Sequence, residues 1–458
     1  MIVRPCLLVT LIISGCGGDD AEPTFPQPAV LVDQNPDPSI VEVSLIAEPG
    51  TIEYLPGKTA EVWTFRDATA TKGTIPGPML EAKLGDRVIV HFENRLPDHT
   101  TIHWHGLRVP NAADGSPISQ RMIDPGESYD YEFTAIDPGL YWYHPHMEGD
   151  VQIERGLYAP IRIHGDVEPD VAADRVFVLD DVKLEASGML STTTDNLDIM
   201  LGRQGNVLLV NGTQNPTLTS AAGTRERWRF VNVANGRFFN LDLPGHTFLV
   251  IGWDGGPIPA PYETETLLMA PGERYDVLVE VTENTTLRNT YYDRGHNIPN
   301  TGPADLVTIE LGAQGPAPAA LPTSWGVVAA IPVDTSTPKL QFVLEEQENP
   351  ATEPTFSING ERFPNVTPTP ARAGQIAIWE IVNMSEMDHP FHLHGMSFQV
   401  LDDNLQVARL AWKDTVNVPQ DKTVRVAVRY GAEGRWMYHC HILEHAERGM
   451  MGELTVQP

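Results

Sequence analysis

Basic residues are in short supply. The 458-residue chain has 31 Lys and Arg against 61 Asp and Glu, a formal net charge of -30. So little positive charge argues against nucleic acid as a partner, because phosphate binding needs a basic face. The acidity reads as a well-solvated surface that also attracts cations. The N-terminal apolar run, Cys6 to Ile13 after Arg4, is too short to span a bilayer and has the form of a signal-peptide core. No strong helical periodicity stands out. Cysteine is scarcest of all, with 3 residues in the chain.

Each cysteine has a separate reading. Cys6 lies in the signal core. The run "ISGC", Ile13 to Cys16, resembles the lipobox of bacterial lipoproteins. That resemblance implies cleavage before Cys16 and a lipid on its thiol; ordinary cleavage nearby, leaving a free cysteine, is the alternative. Residues 1–15 are then the signal peptide and residues 16–40 a lipidated flexible tether, with "GGDDAEPTFPQP" (Gly17 to Pro28) at its start. Position 17 is Gly, not Asp, so the usual inner-membrane retention signal is missing. An exported lipoprotein is expected, periplasmic or outer-membrane associated, and monomeric. Only Cys440 remains in the folded body. No intrachain disulfide can form, and Cys440 needs another use.

The rest of the chain has the texture of a packed all-β protein. Hydrophobic residues make up 41%, and 38 Gly and 39 Pro are spread along the sequence. Short β-rich runs recur between turn residues, among them "DRVIVHFEN" (Asp86 to Asn94), "RWRFVNV" (Arg227 to Val233) and "VRVAVRY" (Val424 to Tyr430). A weak repeat is visible. "PGESYDYEF" (Pro125 to Phe133) matches "PGERYDVLVEV" (Pro271 to Val281), and "VQIERGLYAPIRI" (Val151 to Ile163) matches "AERGMMGELTV" (Ala446 to Val456). Three consecutive Greek-key β-sandwich domains are expected, over 41–165, 166–315 and 323–458. The Ala/Pro/Gly-rich stretch Gly312 to Pro322 marks the second boundary.

Ten of the 15 histidines fall into four clusters: "HWHG" (His103, His105), "YHPH" (His144, His146), "HPFHLHG" (His389, His392, His394) and "HCHILEH" (His439, His441, His445). Alternate residues of a strand share a face. Each H-x-H pair therefore sets two imidazoles side by side, and four pairs can converge on several metal ions. In "HCH", Cys440 must face away from its neighbours. One thiolate and two imidazoles match a trigonal blue-copper site, whose weak axial thioether can be Met450. Met451 would face the other way and pack. Zinc is the runner-up metal, but four tetrahedral ligands do not use up this surplus. His91, His99, His164, His246 and His296 read as satisfied core or surface residues. Met384, Met387 and Met396 read as packing.

These clusters, in this order, resemble those of the multicopper oxidases of the three-domain laccase-like or bacterial metallo-oxidase type. "DGSPISQRMIDPGESYDYEF" (Asp114 to Phe133) and "APGERYDVLVEV" (Ala270 to Val281) extend the likeness. The resemblance implies three cupredoxin-like sandwiches and four copper ions. It places His389, Cys440 and His445 on the type 1 copper, with Met450 axial. His103 and His392 would hold the type 2 copper. His105, His144 and His441 would hold one type 3 copper, and His146, His394 and His439 the other. Electrons would pass from Cys440 through His439 and His441 to a three-copper cluster between the first and third domains, where dioxygen becomes water. The middle domain would be a spacer without ligands, lining the substrate approach. Asp114 matches the acid that supplies protons. Many bacterial relatives carry Glu directly after the last type 1 histidine; Ala446 stands there, leaving Glu444 and Glu447 as substitutes.

The sequence does not fix the reductant; the reading taken is a laccase-like oxidase of phenols or other aromatic donors, which would dock over the edge of His445. The alternative is a metallo-oxidase for Cu(I), Fe(II) or Mn(II) in metal tolerance, its cations drawn by carboxylates near the type 1 site. Asp388, beside His389, suits either role, as base or as cation ligand. A non-catalytic copper-binding protein is a further alternative, although the full ligand set argues against it. A copper nitrite reductase needs no type 3 pair.

Overall fold

The computed structural model describes residues 25–458 except 192, 299 and 349–351. The signal peptide and Cys16 lie outside the described residues. Among those described, six sheets pair into three sandwiches, with only three short α-helices, Gly149–Gln152, Asn196–Leu201 and Leu443–Glu447.

The repeat seen in sequence is a repeat of strand pairing. In each sandwich the first strand runs parallel to a later one: Ile40–Ala47 beside Arg87–Asn94, Ala173–Leu179 beside Glu226–Asn232, and Lys339–Leu344 beside Ile378–Asn383. The antiparallel strands Ser128–Thr134 and Arg274–Val279 carry the two "PGE-YD" motifs, and each flanks that parallel pair. The "RG" motifs lead into Ala159–His164 and Met451–Gln457, which pair with the histidine-bearing strands Gly139–His144 and Gly434–Cys440. Period-two burial explains the layering. In Arg87–Asn94, Val88, Val90 and Phe92 are almost wholly buried, while Arg87 is exposed and Ile89 and His91 only partly covered. Each such side chain contributes about 1.5–3 kcal/mol of burial. The three cores are thus all-β sandwiches held without disulfides.

The flexible tether expected through residue 40 stops short of that point. Phe25 is 7% exposed and packs on Phe177, with ring centroids 4.9 Å apart. The Gln27 side-chain amide accepts from Val176 N at 2.9 Å, and Leu31 N donates to Met79 O at 2.9 Å. Phe25 and Gln27 find partners in the second sandwich, and Leu31 finds its partner in the first. The segment from Phe25 onward is docked, not free.

Candidate metal centre

Strand register gathers the histidines. His103 lies opposite His144 in one sheet of the first sandwich. In the third, His392 lies opposite His439, and Phe391 opposite Cys440. The sequence-distant clusters therefore become facing pairs, and all ten imidazoles are buried.

Three of them form a closed triangle. The Nε2 atoms of His146, His394 and His439 are 3.1, 3.2 and 3.3 Å from one another. A point at the centre is about 1.9 Å from each, close to an imidazole–metal bond length. Around this triangle, other buried ring nitrogens have no protein partner: His103 Nε2, His105 Nδ1, His144 Nε2, His392 Nε2 and both nitrogens of His441. Orphaned buried nitrogens are costly unless something accepts their lone pairs. The donor set fits several metal ions of imidazole preference, copper among them.

The opposite ring nitrogens are tied down. His103 Nδ1 donates to Asp114 O at 2.7 Å, His144 Nδ1 to Pro145 O at 2.8 Å and His439 Nδ1 to Cys440 O at 2.8 Å. His392 Nδ1 donates to Asp414 O at 2.9 Å, and His394 Nδ1 meets both Asp114 carboxylate oxygens at 3.1 Å. Each bond fixes a tautomer whose free lone pair faces the cluster. Burial, aided by neighbouring imidazoles, holds His105, His144, His146, His394 and His441 well below the ordinary histidine pKa, and brings His439 down to about 3. These rings are neutral, as metal ligands must be.

A second site lies on the far side of the "HCH" strand. Cys440 Sγ is 3.5 Å from His389 Nδ1 and 3.7 Å from His445 Nδ1, and those nitrogens are 3.2 Å apart. His389 Nε2 donates to Ser385 Oγ at 2.6 Å and His445 Nε2 to Met200 O at 3.2 Å, so both Nδ1 lone pairs point at the sulfur. Met450 is wholly buried in the same core as Cys440 and exchanges backbone hydrogen bonds with Cys440 and His445. Met451 packs in a separate cluster with Met437 and Ala446. Met387 and Met396 are core residues, and Met384 is 67% exposed.

Two expectations change here. Asp388 is 3% exposed, and its carboxylate accepts from Tyr292 Oη at 2.6 Å, Asn417 Nδ2 at 2.7 Å and Gln420 N at 2.9 Å. Both oxygens are engaged internally, so Asp388 is a packing anchor and not a base or cation ligand. The His445 edge offers no docking face either. His445 is wholly buried, stacked on Phe356 at 4.0 Å and capped by the carbonyl of Met200. That carbonyl belongs to the helix Asn196–Leu201 of the middle sandwich.

The middle sandwich also reaches the histidine cluster, which its lack of ligands did not suggest. In its "PGERYD" motif, Gly272 has φ +87°, and a Cβ there would meet His105 and His441 at 3.0 and 3.1 Å. Only Gly fits both the conformation and the space. Two residues on, the buried Arg274 guanidinium pairs with Asp414, whose Oδ1 is 3.2 Å from His105 Nε2. Charge inside a β-rich "RYD" run was the available signal. Of the two acids near Ala446, Glu447 is exposed and accepts from Gly149 N at 2.8 Å. Glu444 is wholly buried, accepts from Asn235 at 2.9 Å and leaves Oε2 without a partner. Burial, then Asp150, pushes the Glu444 carboxyl up to about 7.

Three sandwiches, a buried multi-histidine cluster and a Cys–His₂ site joined to it by one tripeptide define a multi-metal redox protein. Models of the multicopper oxidase family match residues 48–168, 181–305 and 333–458. The multicopper oxidase mco of Staphylococcus aureus is 28% identical over 454 residues, covering 95% of this chain and 92% of that protein. Laccase-1 of Botryotinia fuckeliana is 30% identical over 435 residues, covering 82% of this chain and 76% of that protein. The solved structure of a multicopper oxidase from Campylobacter jejuni, described as a metallo-oxidase, superposes with a TM-score of 0.83 at 28% identity, covering 95% and 96% of the two chains. The chain belongs to the multicopper oxidase family. It is a copper-dependent oxidoreductase with dioxygen as electron acceptor.

Proposed function

We propose that the physiological electron donor of this oxidase is a low-valent metal ion. In this reading His389, Cys440, His445 and Met450 would hold the type 1 copper. His103 and His392 would hold the type 2 copper, and His105, His144, His441 and His146, His394, His439 would hold the type 3 pair. Bound copper supplies the one-electron steps by which four electrons from the donor reach dioxygen. The chain sets the conditions. Backbone carbonyls and Asp114 orient the rings, and burial keeps water out. Asp114 holds the His394 Nδ1 proton, and the Glu444 carboxyl, poised near neutrality with a free Oε2, suits a proton relay.

One observation favours metal ions over phenols: the His445 edge is sealed by Met200 O and Phe356. An aromatic donor passes its electron most readily where it can pack against an open ligand ring, and the His445 ring is buried. A small cation can bind among polar side chains beside the site instead. Oxygen consumption by the copper-loaded enzyme tests this with Fe(II), Mn(II), Cu(I) and a dimethoxyphenol. A metal ion should exceed the phenol at least tenfold in kcat/KM; the reverse order would return the enzyme to the laccases. Export and lipid attachment at Cys16 belong to the same reading. Cys16→Ser should move the protein from the membrane to the soluble fraction.

A further inference from the structure

Arg294 belongs to the middle sandwich and crosses the loop that leads into His389. Its carbonyl accepts from Asp388 N at 2.8 Å, one residue before that histidine. The residue is 2% exposed. Its Nη2 donates to Leu201 O, next to the Met200 carbonyl that caps His445. The guanidinium carbon lies over the Phe238 ring, 5.5 Å from its centroid. Phe238 is part of the core that buries Cys440 and Met450. Nη1 is buried without a partner, and among the described residues no carboxylate forms an ion pair with this guanidinium. The acids whose charge reaches it, Asp388, Asp181 and Glu444, are bonded to other donors. Tyr292 and Asn417 hold Asp388, Arg237 holds Asp181, and Asn235 holds Glu444.

A buried cation without a counter-ion is costly to keep. Burial, then the Arg237 charge, brings the Arg294 guanidinium down to about 10, still far above neutral pH. The group therefore stays charged. Burial is the larger influence on the three neighbouring ligands, but the Arg294 charge adds to it at each. It opposes protonation of His389 and His445 and favours the Cys440 thiolate. A fixed positive charge also disfavours the more positive member of a redox pair held close to it. Resting on the reading that His389, Cys440 and His445 hold the type 1 copper, we propose that Arg294 is an electrostatic positioning residue whose unpaired charge raises the reduction potential of that site. The uncompensated guanidinium then has a use. It stabilises the reduced form of the site by charge alone, with no bond to any ligand. A higher potential lets the site take electrons from weaker reductants, whichever class of donor docks. The middle sandwich, which contributes no copper ligand, would set the driving force of the first electron transfer.

The test is an anaerobic titration of copper-loaded full-length enzyme with a one-electron redox mediator, following the blue absorption of the Cys440 site. Arg294→Gln keeps a donor for Leu201 O and removes the charge. The equilibrium constant for reduction of the site should fall about tenfold, which is about 59 mV for a one-electron couple. Arg294→Lys keeps the charge and loses the planar fork, so its potential should lie close to that of the wild type. The difference between Arg294→Gln and the wild type should persist at high salt, because a buried charge is little screened. An unchanged potential in Arg294→Gln, or an equal fall in Arg294→Gln and Arg294→Lys, would overturn the proposal. Asp181→Asn removes a negative charge from the same surroundings and should move the potential the other way, upwards. It decides the matter if Arg294→Gln takes up no copper: an unchanged or lower potential there would also overturn the proposal. Cys440→Ser tests the underlying reading separately. A blue band that survives it refutes the ligand set. A band lost there, with a potential indifferent to Arg294, leaves the ligand set standing and removes the role of Arg294.

Discussion

Arg274 of the middle sandwich and Asp414 of the third, 140 residues apart, meet in a bidentate ion pair with contacts of 2.7 and 2.6 Å. Both are about 1% exposed. Burial works to raise the Asp414 carboxyl, but Arg274 and hydrogen bonds to His105 and His392 hold it well below the ordinary carboxylate range. Asp414 therefore stays charged and gives two histidines of the cluster a fixed acceptor. Arg274 also donates to Leu140 O of the first sandwich at 3.2 Å. One side chain thus joins all three domains behind the site.

Arg274→Met should strand a buried carboxylate, a change that costs about 3–5 kcal/mol. The thermal midpoint should fall, and copper per chain should drop below that of the wild type. Adding Asp414→Asn should recover part of the stability and none of the copper. Recovery of both would reduce the pair to packing alone.

The helix Asn196–Leu201 owes its order to Asp195. The Asp195 carboxylate accepts from Leu197 N and Asp198 N, both at 2.9 Å, and Asp198 returns the bond to Asp195 N. Removing such a cap costs about 1 kcal/mol of helix stability. Asp195→Ala should loosen the cover over His445 and raise kcat/KM for phenols several-fold, with the Fe(II) rate little changed. Replacing residues 196–201 by a Gly/Ser loop should enlarge the effect. An unchanged phenol rate in both variants would mean that the helix is not what excludes aromatic donors.

The histidine clusters were legible because strand alternation is a short-range rule: "HWH" and "HCH" fix which face each ring takes before any partner is known. The internal repeats announced the three sandwiches for the same reason. What stayed hidden depended on long-range packing. Asp388 looked accessible beside His389, yet Tyr292 and Asn417 arrive from distant strands to occupy it. His296 looked isolated, yet its partners Glu346 and Glu386 lie 50 and 90 positions away. Arg274 sat in a run that reads as an ordinary strand, and its carboxylate came from another domain.

Asp388→Asn follows from that contrast. The amide would set an N–H₂ against donors that now point at a carboxylate, at a cost of about 1–3 kcal/mol. The thermal midpoint should fall. Relative rates with Fe(II), Mn(II), Cu(I) and a phenol should keep the wild-type order. A selective loss with one donor would restore Asp388 to the substrate site.

Asp180 gives the pH dependence. It is 5% exposed, accepts from Tyr158 Oη and lies beside Asp181. Burial, then the Asp181 charge, pushes its carboxyl from 3.8 up to about 8. A folded-state pKa above the unfolded value means that the native chain keeps a proton the unfolded chain has lost. The stabilisation is complete below about pH 4 and declines as pH rises towards 8, by at most about 1.4 kcal/mol per pH unit. Above 8 the folded group has ionised too, and the slope vanishes. Asp180→Asn has no proton to lose. Thermal midpoints measured from pH 5 to 9.5 should therefore fall faster for the wild type than for Asp180→Asn up to about pH 8, then run parallel. Parallel curves throughout would mean that Asp180 is ionised in the fold at neutral pH, with its charge accommodated by Tyr158 and the nearby Arg237.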